Sequence, residues 1–214
     1  GSSQESDWAH RWSPLTLLGS PAMNDSRVIA LIGYRGTGKT TWLRAALPDA
    51  LVLDLLQPDL SRDLLARPER LRDLVAAAPA GTTVVLDEVQ RVPDVLTVVH
   101  ALMESSPPRR FVLTGSSARK LRRGGADLLA GRAVVRALHP FMAAELPRFD
   151  LDHALVHGLV PLVLASEQPA DVLRAYASLY LDEEVRLEGW ARNVGAFARF
   201  LEVISFSHAT VLNV

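Results

Sequence analysis

Apolar positions along this chain fall into two rhythms that take turns. "VIALI" (Val28–Ile32) is a short continuous apolar run, the pattern of a strand covered on both faces. A helical segment follows over Gly38–Leu47 and stops ahead of Pro48. "ALVLDLL" (Ala50–Leu56), "TTVVLDE" (Thr82–Glu88), "RRFVLTGSS" (Arg109–Ser117) and "RAVVRAL" (Arg132–Leu138) read as four further strands. Between them, "SRDLLARPERLRDLVAAA" has helical period, with Leu71, Leu74 and Val75 on one stripe and an interruption at Pro68. "PDVLTVVHALMES" predicts a helix with Pro93 near its first turn. Strands separated by helices predict an α/β fold, a parallel five-stranded sheet flanked by helices, over residues 25–147. Residues 1–24 show no sustained period and read as a cloning remnant, "GSS", followed by a leader that packs on the domain. Beyond Pro147 no strand pattern recurs. "PADVLRAYASLYLDEEVRLEG" and "VGAFARFLEVISF" predict a smaller helical domain over residues 148–214, expected to be cut short because the chain stops inside the apolar run "ATVLNV".

Composition narrows the class. The 214 residues are 49% hydrophobic and 22% charged, which suits a soluble globular protein. A net charge of −1 gives no global pull toward nucleic acid or an anionic membrane. The absence of cysteine excludes a disulfide framework, thiolate metal sites and a thiol nucleophile, and it fits a cytoplasmic protein. The longest apolar stretch, "ALVHGLVPLVLA", is too short for a bilayer and is broken by His157, Gly158 and Pro161, so no membrane partner is expected. The six histidines are scattered without metal-ligand spacing. Positive charge comes from 21 arginines and only 2 lysines, Lys39 and Lys120.

That bias sharpens the main motif. "GYRGTGKTT" joins the first strand to its helix and satisfies G-x-x-x-x-G-K-S/T through Gly33, Gly38, Lys39 and Thr40. With this chain's residue frequencies, such a match arises by accident on the order of once in a thousand chains. The rival reading is a turn that merely favours glycine. The chemistry argues for a phosphate cradle over Gly33, Tyr34, Arg35, Gly36, Thr37, Gly38, Lys39, Thr40 and Thr41. Glycines let the backbone curl so that successive N–H groups face phosphate oxygens, and the helix N-terminus adds partial positive charge. Lys39 supplies a compact point charge where an arginine fork would not fit, in a chain that otherwise writes arginine. Thr40 offers a hydroxyl ligand to Mg²⁺.

A triphosphate site also needs a metal partner and a base. Asp87 ends an apolar strand and is the candidate to hold Mg²⁺, while Glu88, expected to project the other way, is the candidate to polarise a water. The spacing from the cradle leaves room for one strand and one helix, which predicts that the Asp87 strand lies next to the cradle rather than at the sheet edge. Thr114, with Ser116 and Ser117, ends the following strand and could bond the γ-phosphate or the water. A plain polar strand end reads nearly as well. Arg132 suits either a nucleotide-site arginine or a surface ion pair. Arg119, Lys120, Arg122 and Arg123 form a basic run that could meet nucleic acid, although most such runs are solvated helix faces.

Together, "VIALIGYRGTGKTTWL", "VVLDEVQRVPDVLTVVHAL", "FVLTGSSARKL", "LLAGRAVVRALHPFMAAEL" and "GLVPLVL" resemble the prokaryotic AAA-type P-loop ATPases in which an AAA domain precedes a DUF4143-like C-terminal domain. The resemblance runs from about Arg11 to the chain end and is most specific in the strand-and-helix motifs. It implies a P-loop NTPase of AAA+ type with a helical lid and the start of a winged-helix-like segment. Lys39 and Thr40 would form Walker A, Asp87 and Glu88 Walker B, and Thr114 the sensor-1 position. Arg132 would be a finger offered to a neighbouring subunit's nucleotide, which implies a homo-oligomer, a ring among the options. The sensor-2 arginine is unassigned among Arg174, Arg186 and Arg192. The expected function is Mg²⁺-dependent ATP hydrolysis, with ATP or ADP as the bound nucleotide. The alternatives are a nucleotide-binding switch with little turnover, linked or not to DNA, and a weaker third, small-molecule phosphotransfer.

Overall fold

Side chains on successive strand residues point to opposite faces of a sheet, so a strand apolar at every position demands cover on both. β1 (Val28–Ile32) is buried along its whole length. The computed structural model describes residues 27–105, 109–116, 133–180 and 193–206. Within them, β1 lies in a five-stranded parallel sheet with β2 (Leu51–Asp54), β3 (Val84–Asp87), β4 (Phe111–Gly115) and β5 (Ala133–Ala137), in the order β2-β3-β4-β1-β5. The register pairs Val28 with Phe111 on one side and with Ala133 on the other.

The two faces build separate cores. Val28, Ala30, Ile32, Val84, Leu86, Phe111 and Leu113 meet α2 (Pro58–Ala66), α3 (Leu71–Ala77) and α4 (Val95–Met103), which contribute Leu64, Leu71, Val75 and Val99. Ile29, Leu31, Val85 and Val112 face the other way and meet Trp42 and Leu43 of α1 (Lys39–Ala46). Truncating one of these leucines to alanine costs about 2–5 kcal/mol, a large share of a domain's stability.

Local signals explain most boundaries. Pro58 opens α2 at its first position, where a missing N–H costs nothing. The expected break at Pro68 appears as a short 3-10 turn, Pro68–Arg70, between α2 and α3. α4 starts at Val95, past Pro93, later than the sequence suggested. Beyond Pro147 the described residues form α5 (Leu151–His157), α6 (Pro161–Leu164), α7 (Pro169–Leu179) and α8 (Val194–Ser205). Asp150 caps α5 by accepting from the His153 amide at 3.0 Å, and Asn193 caps α8 by accepting from Ala196 at 2.9 Å. Among the described residues no helix is long and apolar enough to cross a membrane.

Two expectations are corrected. β3 is off the sheet edge as expected, with β2 outside it, but it does not lie beside the cradle strand β1, because β4 pairs with both and separates them. The sequence distance between the motifs allows either order, and only the pairing register decides. Nor does the strand run through Glu88: β3 ends at Asp87, and Glu88 turns into the left-handed region at φ 59°, ψ 46°.

Candidate functional site

All five parallel strands end on one edge of the sheet, where ligands of such folds are held. The loop leaving β1 is fixed there by its neighbours. The Gly33 amide donates to the Gly115 carbonyl at 3.2 Å, and the Leu138 amide donates to Ile32 at 2.6 Å. Gly33 is a necessity of this approach, since a Cβ there would lie 2.4 Å from the Leu138 carbonyl oxygen. Gly36 at φ 77° and Gly38 at φ 86° then make the left-handed turns that let the loop curl ahead of α1. Thr37 is fully buried inside the loop and donates its hydroxyl to the Tyr34 carbonyl at 2.8 Å.

Lys39, the first residue of α1, is 5% exposed, and a buried ammonium demands hydrogen-bond partners. Its Nζ donates to the carbonyls of Gly33 at 2.7 Å and Tyr34 at 3.0 Å, which centres the charge inside the loop. Tyr34, Arg35 and Thr41 lie at the exposed rim of the loop and of the first helical turn.

Asp87 and Thr114 point to the α1 face of the sheet, with Val85 and Val112 two residues before them on their own strands. This brings Asp87 to α1 although its strand is not beside β1. The Thr40 hydroxyl donates to Asp87 Oδ2 at 2.7 Å, and the Thr114 hydroxyl donates to Asp87 Oδ1. Thr114 Oγ1 in turn accepts from the Glu88 amide at 2.9 Å. One hydrogen-bonded chain therefore joins the loop's helix to the tips of β3 and β4. A hard divalent cation takes oxygen ligands, and the Thr40 hydroxyl with the Asp87 carboxylate supplies two at one point, the rest of the shell being left to water and phosphate. The inward turn, the centred ammonium and this oxygen pair fit a nucleoside triphosphate with its metal.

Glu88 is half-buried and its side-chain Oε2 accepts from Gln90 Nε2 at 2.5 Å. Arg132, Ser117 and the basic run of Arg119, Lys120, Arg122 and Arg123 lie outside the described residues, as do Arg186 and Arg192. Arg174 sits on α7 in an exposed ion pair with Asp171. Sequence reasoning gave no role to two features of this region. Gln90 is one; it sits two residues past Glu88, in a motif read only for its acids. The other is "GLVPLVL", which docks on the loop. The Leu162 amide donates to the Gly36 carbonyl at 3.3 Å, and a Cβ at Gly36 would lie 3.1 Å from Leu162 Cβ.

Comparison with known proteins adds a family. A family model for the AAA domain matches residues 25–147. The uncharacterized proteins Mb2031c of Mycobacterium bovis and Rv2008c of Mycobacterium tuberculosis are each 26% identical over 171 residues, which is 77% of this chain and 37% of theirs. The chain thus spans little more than a third of the length of these curated relatives. Among solved structures, the Walker-type ATPase paby2304 of Pyrococcus abyssi is similar with a TM-score of 0.52 at 17% identity, over 95% of this chain and 76% of that one. At that identity the likeness is one of fold.

Proposed function

Since the chain belongs to the AAA domain family, we propose that it binds ATP with Mg²⁺ and hydrolyses the β–γ phosphoanhydride bond. The observation that carries this reading is the chain Thr40–Asp87–Thr114–Glu88, which links the loop, the metal ligands and the base in one hydrogen-bonded unit. Lys39 exchanges its carbonyl partners for phosphate oxygens and holds them with the loop amides. With the Thr40 proton held by Asp87, the lone pairs of Oγ1 remain available, and Thr40 and Asp87 would hold Mg²⁺, which would offset phosphate charge. Glu88 orients a water and accepts its proton as the water oxygen bonds the γ-phosphorus and the β–γ bridging oxygen leaves with ADP. Thr114 fixes the Glu88 main chain. Arg132 of a neighbouring copy completes the charge cover, so the working form is a homo-oligomer. Residues 25–147 form the catalytic unit and 148–214 the lid.

The test is calorimetry with ATP and magnesium, followed by turnover at rising protein concentration. Binding with turnover that climbs steeply with concentration, and that Arg132→Ala flattens without weakening affinity, supports the reading. Binding with no turnover at any concentration replaces it by the switch. The contact of Leu162 with Gly36 favours that second reading, since the lid rests on the loop a nucleotide would fill.

A further inference from the structure

The Glu88 side chain is the least explained group at the strand tips. It is the sole non-glycine residue at positive φ among the described residues, a conformation that costs about 1–3 kcal/mol and persists only where its surroundings over-determine it. Two anchors impose it. Its amide is held by Thr114 at 2.9 Å, and its carbonyl accepts from the Arg91 amide at 3.0 Å, closing the 3-10 turn Val89–Arg91. That turn is pinned to the core by Val89 and Val92, both fully buried. Gln90 stands between these two anchors, so its backbone has little freedom. The turn brings its side chain back to Glu88, with Nε2 2.5 Å from Oε2. Only the amide nitrogen can face a carboxylate, which accepts and never donates when ionised, so the orientation of the Gln90 amide follows from chemistry. Its oxygen is buried and takes no hydrogen bond from the described residues.

We propose that Gln90 is a positioning residue that locks the Glu88 carboxylate by one oxygen and leaves the other to work on the attacking water, a role that rests on the ATPase reading above. A glutamate side chain has three rotatable bonds, and a base held in one rotamer within hydrogen-bond reach of its water gains effective concentration. The strained backbone and the 3-10 turn after it fix the main chain on both sides of this contact, so the side-chain bond forms from a set frame. Without the lock, Glu88 still binds nothing less of the nucleotide, but it samples rotamers that do not face the water.

The test is Gln90→Met, which keeps the bulk and removes the donor, measured in the full chain beside Glu88→Gln and the double variant. Gln90→Met should lower kcat about tenfold with an unchanged calorimetric Kd for ATP, and should lower nothing further in the Glu88→Gln background. Should Gln90→Met fail to fold, Gln90→Ala carries the same comparison. A parental rate in Gln90→Met, a loss that persists undiminished in the Glu88→Gln background, or a Kd that weakens in step with kcat would overturn the positioning role. A parental chain that binds ATP and turns none over would overturn the ATPase reading and this role with it, and is told apart because in every other outcome the parent is active.

Discussion

The sheet edge and the helices after Pro147 solve the same problem with opposite thoroughness. At the sheet edge, Thr37, Lys39, Asp87 and Thr114 are buried polar groups, and each has a hydrogen-bond partner. Two apolar cores stand behind them. Among the described residues beyond Pro147, Val163 alone is buried, while Leu155 is 74% exposed and Phe206 83%. Val163 belongs to the segment that rests on Gly36. Among the described residues the helical region is therefore moored at the glycine-rich loop and by the Phe141 amide, which donates to the Leu159 carbonyl at 3.0 Å, and is loosely built elsewhere. Buried polar groups are tolerated only when satisfied, so a site like the first must be rigid to exist at all, whereas an amphipathic segment with few anchors is free to move as those anchors move.

The sharpest way to break the comparison is to disable the chemistry and leave the architecture. Glu88→Gln keeps the hydrogen-bonding shape of the side chain and removes the proposed base. It should lower turnover by about 10²–10⁴-fold while ATP binding survives, as read by steady-state phosphate release beside calorimetry. A rate equal to the parent would show that another group activates the water. Lys39→Ala acts one step earlier. It removes the ammonium that the loop is folded around, and ATP affinity should fall about a hundredfold, with no heat of binding at micromolar ligand. Retained affinity would mean that the loop amides alone hold the phosphates.

Stability measurements sharpen the contrast itself. Leu86 is fully buried between β3 and the α2–α4 layer, and Leu86→Ala should cost about 2–5 kcal/mol in urea unfolding. Leu155→Ala, on the exposed face of α5, should stay within about 0.5 kcal/mol. Equal losses at the two positions would show that the helical region is as tightly built as the sheet.

The two regions also differ in how far the sequence reveals them. β1, the glycine-rich loop and the Asp87–Glu88 pair are local patterns with strong periodicity, and the strands and loop form where those patterns stand. The neighbour order was not legible, since parallel pairing is set by long crossovers that leave no mark at the strand; β4 took the place beside β1 that β3 was expected to fill. The turn at Glu88 was hidden for a related reason. A hydroxyl from β4 and two buried valines impose its positive φ, while the residue's own propensity argues against it. Gln90 carried no signal of its own, because its meaning depends on that turn. "GLVPLVL" was visible as an apolar run, but a run has no address, and its contact with Gly36 depends on the fold bringing Val160–Val163 back across the loop.

The mooring point gives the smallest effect and the most specific one. Leu162 is 50% exposed, so shortening it to alanine removes little buried apolar surface and should move stability by less than about 1 kcal/mol. Yet its Cβ and Cδ2 stand 3.1 and 3.3 Å from where a Gly36 Cβ would be, and its amide meets the Gly36 carbonyl. That contact braces the loop at the left-handed turn of Gly36, in the segment proposed to hold phosphate. Leu162→Ala keeps the Cβ and the amide bond and removes the Cδ2 approach, so it loosens the brace without abolishing it and should weaken the calorimetric Kd for ATP about twofold, with the unfolding midpoint nearly unmoved. Leu155→Ala, more exposed at 74% and away from the contact, should leave Kd unchanged. If both variants bind ATP like the parent, α6 merely lies against the loop. If Leu162→Ala alone weakens it, this attachment of the helical region also bears on nucleotide binding.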